Sequence, residues 1–246
     1  AYTIGGTVSG LEGSGLVLRN NGGDDLAIAS DGAFAFSTAL PDASIYDVTV
    51  AAQPAGPIQT CTVSNGSGTV SGADVITVEV ACETAQFTVG GTLSGLEGDQ
   101  VALQNNGGDD LVVSADGGFQ FSMPVDDFGT YDVTVATQPS SPSQTCTVAN
   151  GAGMIDGADV TDVQITCQTD TFTIGGTVSG LQGSGLVLQN NGGDDLAVAA
   201  DGSFVFPTAL PDLSGYSVTV AAQPSGPNQF CSIGNGAGTL NGADVT

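Results

Sequence analysis

The stretch from Leu186 to Phe206, LVLQNNGGDDLAVAADGSFVF, occurs three times in this chain. Its other copies are LVLRNNGGDDLAIASDGAFAF, from Leu16 to Phe36, and VALQNNGGDDLVVSADGGFQF, from Val101 to Phe121, displaced from one another by a period of 85 positions. A fixed period means that one structural unit is used repeatedly. It divides the 246 residues into three units, 1–85, 86–170 and 171–246. Each is small, and a domain of that size buries a modest share of its surface and often recruits covalent help.

The cysteines repeat with the period. Cys61 and Cys82 are 21 residues apart, as are Cys146 and Cys167, while Cys231 stands alone. Identical spacing without a single His argues against zinc and for two disulfides formed in an oxidising compartment. A link closing such a loop stabilises its unit by about 3 kcal/mol in the chain-entropy model. One Arg and 26 acidic residues give a formal charge of -25. That balance excludes electrostatic binding of nucleic acid or of anionic lipid. No run approaches the ~18 apolar residues of a membrane-spanning helix, so membrane insertion is not expected. Ala1 opens directly on a strand, which predicts that any signal peptide has been removed.

Within a unit the pattern is that of strands. TIGGTVSGL, TVGGTLSGL and TIGGTVSGL open the three copies, each broken by a Gly pair that suits a bulge or a close backbone approach. The next strand ends at Asn-Gly-Gly-Asp-Asp, where Asn and Gly tolerate positive φ. Asp31-Gly32, Asp116-Gly117 and Asp201-Gly202 then read as hairpin turns between strands. Phe34 and Phe36, like Phe119 and Phe121 or Phe204 and Phe206, sit two apart and therefore on one sheet face. Tyrosines and phenylalanines take inward parity throughout and are assigned to the core. In YDVTV, Tyr131, Val133 and Val135 point one way, and Val163, Ile165 and Cys167 are in phase on the last strand. About seven strands per unit, no helical periodicity and regular turn signals predict an all-β sandwich. Linkers from Glu83 to Gln86 and from Gln168 to Thr171 are short.

The third unit lacks a counterpart of residues 162–167, because Thr246 matches Thr161. Cys231 then has no partner within its unit, and an open groove of unpaired backbone is expected beside it. Continuation of the polypeptide is the favoured completion; a strand supplied by a neighbouring chain is the other. Near-identical repeats also ease exchange of strands between chains.

GGTVSG, GLVLQNN, ADGSF and YSVTV together resemble the bacterial surface β-sandwich repeats called Cna-B-like, SdrD-B-like or carboxypeptidase-regulatory-like, and the Ig-like repeats of bacterial surface proteins. The resemblance spans nearly all of each unit. It implies three tandem Ig-like or prealbumin-like sandwiches in a linear array, the third without its last strand, serving as a stalk or an adhesive fibre. Many Cna-B-like domains carry a Lys–Asn isopeptide bond, but this chain has no Lys. The paired cysteines are expected to take over its mechanical role.

No catalytic residue, cofactor or metal is expected. Without His or Lys, hydrolysis would need paired carboxylates, and Asp24-Asp25, Asp109-Asp110 and Asp194-Asp195 are adjacent, so their side chains face opposite ways in extended chain. Calcium is the more serious alternative, yet no unit has EF-hand or nonapeptide spacing. Cys231 lacks a His to activate it and reads as half of a disulfide. The function expected is a non-catalytic, extracellular structural repeat protein whose partners are copies of itself or further repeats. The alternative is an adhesin that binds glycan or protein, with or without calcium, through variable loops from Pro41 to Ile45, Pro124 to Thr130 and Pro211 to Gly215.

Overall fold

The computed structural model describes residues 1–246 as strands, turns and bends, with no helix. The chain falls into two compact units: Ala1–Gly90 with Gln120–Asp132 and Ala152–Asp162, and Gly91–Phe119 with Val133–Gly151 and Val163–Thr246.

The first unit contains a complete copy of the repeat. Its strands are β1 (Ile4–Ser9), β2 (Leu16–Asn20), β3 (Asp24–Ile28), β4 (Gly32–Ala35), β5 (Ile45–Ala52), β6 (Gln59–Ser64), β7 (Ser67–Thr69) and β8 (Val75–Thr84). They form two four-stranded sheets, ordered β4-β1-β8-β6 and β3-β2-β5-β7. Alternation of apolar and polar residues puts Ile4 and Val8, Leu16 and Leu18, Phe34 and Phe36, Tyr46 and Val48, and Val78 and Val80 into one core between the sheets. Phe36 is 2% exposed, and its ring meets that of Phe34 edge to face at 5.9 Å. Burying a side chain of that size contributes about 2–3 kcal/mol.

Every named pairing in this copy is antiparallel except one. β8 runs parallel to β1, with Gly6 opposite Val78, Val8 opposite Val80, and a register shift between Ile4 and Gly6. The Gly pair of the opening strand marks this shift and the closest approach in the sheet, since a Cβ on Gly6 would lie 1.7 Å from the carbonyl oxygen of Val78. The β2–β3 turn is also as the sequence predicts: Asn21 and Gly22 have φ of 48° and 71°, and the Gly23 N–H donates to the Asn20 carbonyl at 3.2 Å.

Three expectations are corrected. Asp31-Gly32 does not close a hairpin, because β3 and β4 belong to different sheets and the chain crosses between them there. Local turn chemistry is the same for a hairpin and a crossover; the partner of the outgoing strand is a non-local matter. An eighth strand, β7, pairs with β5 through residues 67–69, and its sequence Ser-Gly-Thr has no apolar alternation to reveal it. Finally, Phe128 and Phe230 are exposed rather than core. Phe128 sits in a loop at φ 65°, and Phe230 in a segment outside any strand.

Beyond β8, a single residue, Ala85, precedes the next strand, Gln86–Phe87. That strand pairs with Val125–Asp126, and residues 130–132 pair with 152–154, all within the first unit.

In the second unit, Val101–Asn105 pairs with Asp109–Val113 on one side and with residues 133–137 on the other, and Gln144–Ala149 lies antiparallel to residues 164–169. The third copy builds one full sheet, from Asp194–Val198, Leu186–Asn190, Gly215–Ala222 and Ala237–Thr239. Its other sheet is reduced to Gly175–Val178 with Gly202–Val205. Residues 229–234, the counterpart of β6, join no ladder. A parallel pairing starts, with Ile174 bridged to Val245, and goes no further.

The geometry at Gly6 yields a direct test. Gly6→Ala should destabilise the protein by about 3 kcal/mol through backbone overpacking, read as a lowered denaturant midpoint; an unchanged midpoint would mean that the strands do not approach this closely.

Candidate functional site

The repeated carboxylates were the first candidates for chemistry, and the structure gives each a backbone or side-chain partner. Asp31 accepts the N–H groups of Gly10 and Leu11 at 2.9 and 2.8 Å, and Asp116 and Asp201 repeat the arrangement at Gly95 and Leu96 and at Gly180 and Leu181. Asp74, Asp159 and Asp244 accept the N–H of Thr3, Thr88 and Thr173, which holds each carboxyl below the usual range. Of the adjacent pairs, Asp25 takes a bidentate contact from Arg19, while Asp24 turns to the Thr38 N–H at 3.3 Å. Gln104 and Gln189 replace that Arg opposite Asp110 and Asp195. Nowhere do three acidic or cysteine side chains converge as a metal cage requires.

Cys61 and Cys82 face one another across β6 and β8 with sulfurs 2.01 Å apart, and Cys146 and Cys167 do the same at 1.99 Å. Each bond links neighbouring strands of a single sheet. Cys231 is a half-buried thiol. Its backbone is held as in the other copies: Gln223 Oε1 accepts the Cys231 N–H at 2.7 Å, matching Gln53 with Cys61 and Gln138 with Cys146.

Two buried acids that sequence reasoning missed fasten successive copies. Within the first unit, Asp127 is 4% exposed and accepts the Ile58 N–H at 2.7 Å and the Gly157 N–H at 2.8 Å. Ile58 belongs to the first copy and Gly157 to the second. Within the second unit, Asp212 is 6% exposed and accepts from Ser143 and Gly242 at 2.8 and 2.7 Å. Backbone bonds from Asp127 to Ala85 and from Ala85 to Ile58 lengthen the first junction, and their counterparts run from Asp212 to Asp170 and from Asp170 to Ser143. The Ile58 N–H is the main reason that Asp127 is held below the ordinary carboxylate range; for Asp212 it is the Ser143 N–H. Asp42, the same position in the first copy, accepts from Gly72. Identity of Asp42, Asp127 and Asp212 inside loops that otherwise vary was the available signal. Two of the three variable loops are therefore committed to junctions.

In the third copy a groove of about 320 Å³ opens beside Gly175–Val178. Ile174, Phe204, Val218 and Ile233 supply apolar surface, and Gly176 and Thr177 line one edge.

No family model and no curated protein matches this sequence. Among solved structures, the Bacillus anthracis TIE protein is similar at 14% identity and a TM-score of 0.53, over 99% of this chain and 49% of that one. This chain thus spans about half of its length. Streptococcal High Identity Repeats in Tandem (SHIRT) domains 3-4 from a cell surface protein align at 17% identity and TM-score 0.29, over 68% and 97% of the two chains. A streptococcal ancillary pilin aligns at 13% and 0.26, over 97% and 95%. The likeness to the TIE protein establishes a shared β-sandwich fold and nothing finer.

Two outcomes follow from the site geometry. Because the Asp127 and Asp212 pKa values are depressed on folding, their contribution is complete above the unfolded value of about 3.9 and is lost as pH falls through the lower folded value. The thermal midpoint should therefore hold from neutral pH to mild acid and fall below about pH 4; Asp127→Asn should lower it at neutral pH and flatten its acid limb. Replacing Cys61 and Cys82 together by Ala should cost about 3 kcal/mol, measured by denaturant titration.

Proposed function

We propose that the chain is a non-catalytic, extracellular structural protein, part of a bacterial surface stalk, fibre or sheath, in which each 85-residue copy is one bead. The observation that carries this reading is the junction. One residue, Ala85, separates the last strand of one copy from the first strand of the next, and a buried carboxylate binds amides from both copies. A chain built to transmit position or load needs such short, fastened connections, whereas independent binding modules are served by flexible ones. The cross-strand disulfides support an oxidising, extracellular setting. The shared fold with a Bacillus anthracis protein is in keeping with a bacterial source. Carboxylates engaged with backbone amides leave little material for catalysis, and the charge of -25 favours solubility outside the cell. Exchange of a strand between chains would join such molecules end to end.

The adhesin reading retains one foothold. The loop from Pro41 to Ile45 lies outside the two junctions, and Ile45 is exposed. The corresponding loops of the later copies hold Asp127 and Asp212 and are less available to a ligand.

Negative-stain imaging and light scattering of the purified chain separate the two. Beaded particles of constant spacing, and polymers at high concentration, are expected. Compact monomers that bind glycans or a host protein through the Pro41 to Ile45 loop would overturn the structural reading.

A further inference from the structure

In the first copy the opening strand β1 and the closing strand β8 lie side by side and parallel, with Gly6 opposite Val78 and Val8 opposite Val80. The chain enters at the start of β1 and leaves at the end of β8, so tension along it slides the two strands past each other lengthwise. Bonds across a ladder loaded in this direction bear the force together, whereas a ladder peeled from one end breaks its bonds one at a time. The ladder is close and is tied at both ends. A Cβ on Gly6 would lie 1.7 Å from the Val78 carbonyl oxygen. At the start, Asp74 accepts the Thr3 N–H at 2.8 Å. At the far end, the buried Gln59 donates from Nε2 to the carbonyl of Gly10, just past β1, at 2.8 Å, and to Oγ1 of Thr84, the last residue of β8, at 3.1 Å.

The disulfide lies beside this path rather than across it. Cys61–Cys82 joins β8 to β6, not to β1. On its other side β1 is held by β4, in a ladder that runs from Gly5 opposite Ala35 only to Val8 opposite Gly32. The β6–β8 ladder is longer, from Gln59 opposite Thr84 to Ser64 opposite Glu79, and it carries the covalent bond. Under load β1 is therefore the strand that leaves. The chain then unravels from the N-terminal side as far as Cys61, and the S–S bond passes the tension straight to Cys82. The paired cysteines thus do not brace the terminal strands; they limit what is released after those strands part. The second unit repeats the parts: a Cβ on Gly91 would lie 1.8 Å from the Val163 carbonyl oxygen, Gln144 donates to the Gly95 carbonyl and to Thr169 Oγ1 at 2.8 and 3.2 Å, and Cys146 is bonded to Cys167.

We infer that each disulfide-bearing copy is a tension-bearing clamp: its parallel terminal strands resist extension in shear, and its disulfide caps the length of chain released when they yield. The inference rests on the stalk reading, in which tension along the chain is the working load. The cap has a definite size. The cysteines of each pair are 21 positions apart, and an extended chain spans at most about 3.3–3.6 Å per residue, so each disulfide withholds roughly 70 Å. A copy that yields under load therefore gives up only part of its length, and the segment from Cys61 to Cys82 stays closed as a template on which β1 can pair again when the load falls.

The test stretches the whole chain between handles at its two ends and records force against extension. Two steps of equal length are expected from the two disulfide-bearing copies. In a chain with Cys61→Ala and Cys82→Ala, one of those steps should lengthen by roughly 70 Å. Its force should not change, because the disulfide acts on the entropy of the unfolded chain and not on the β1–β8 ladder. A second comparison keeps both disulfides and so decides the shear even where a cysteine-free copy does not fold. Moving one handle to residue 73, through Ala73→Cys in a Cys231→Ser chain, pulls β8 at the end where the other handle pulls β1. The ladder is then peeled, and the copy should open at a several-fold lower force. Equal forces in the two geometries, a force that falls when the disulfide is removed, or a step that does not lengthen would each overturn the proposal. None of these outcomes bears on the particles and polymers seen by imaging, so the clamp and the stalk role stand or fall separately.

Discussion

The parallel contact between β1 and β8 governs how each copy is built. A strand that closes a sandwich by pairing with the opening strand brings residues some 70 positions apart into register, here Val8 with Val80. The last strand takes a central place in the sheet, between β1 and β6. A central strand supplies two ladders rather than one. In the third copy, Gly175–Val178 pairs with Gly202–Val205 alone, and residues 229–234 form no strand although their sequence retains the Gln, the Cys and the apolar residue of β6. β6 owes its conformation less to its own propensity than to β8 lying beside it, which is how strand preference generally behaves.

Charge explains how the rest is fastened. A chain with 26 acidic residues and a single Arg cannot stabilise itself with ion pairs. The carboxylates instead accept backbone N–H bonds at strand ends, crossovers and junctions, where the ladder would otherwise leave donors unsatisfied. Such charge-assisted bonds are shorter and stronger than neutral ones, and at the junctions they also spare part-buried amides the penalty of lying unpaired. The same acids that look like a surplus of surface charge in the sequence are thereby structural parts, and at Asp74, Asp127, Asp159, Asp212 and Asp244 a pKa lowered by those amides records it. Where Arg19 pairs with Asp25, the other copies manage with Gln104 and Gln189. A neutral donor suffices at that exposed position.

What could be read from residues alone was whatever repeats with a short period or a fixed spacing. Alternation disclosed the strands around Leu16, Phe34 and Tyr46, the Gly pair disclosed the close approach at Gly6, and the equal spacing of Cys61 and Cys82, and of Cys146 and Cys167, matched the strand pairing that sets them opposite each other. Long-range matters were hidden. Asp31-Gly32 has the chemistry of a hairpin, and nothing local reveals that β4 pairs with β1 instead of β3. β7 is too short and too polar to alternate. Asp127 looked like any loop acid because the donor that buries it, the Ile58 N–H, is 69 residues away in sequence. Phe230 shows the reverse error: hydrophobicity suggested the core, but its position matches the exposed Thr60 and Thr145, on the outward side of the strand that bears Cys61.

Glycine ties these threads together. A residue without a side chain is costly in a strand, so its retention at the same place in all copies calls for a contact that excludes Cβ. At Gly68, Gly153 and Gly238 that contact is the hydroxyl of Tyr46, Tyr131 and Tyr216, each 2.7 Å from where a Cβ would stand. All three copies satisfy this relation, the third included, because both partners lie in the sheet that is complete there. At Gly6 and Gly91 the contact is the carbonyl of the closing strand, and only the third copy keeps the glycine without it. Comparison of the two sets isolates the cause. The third copy is not a loosened version of the others, for its Tyr–Gly notch and the sheet that contains it are built as in the first two.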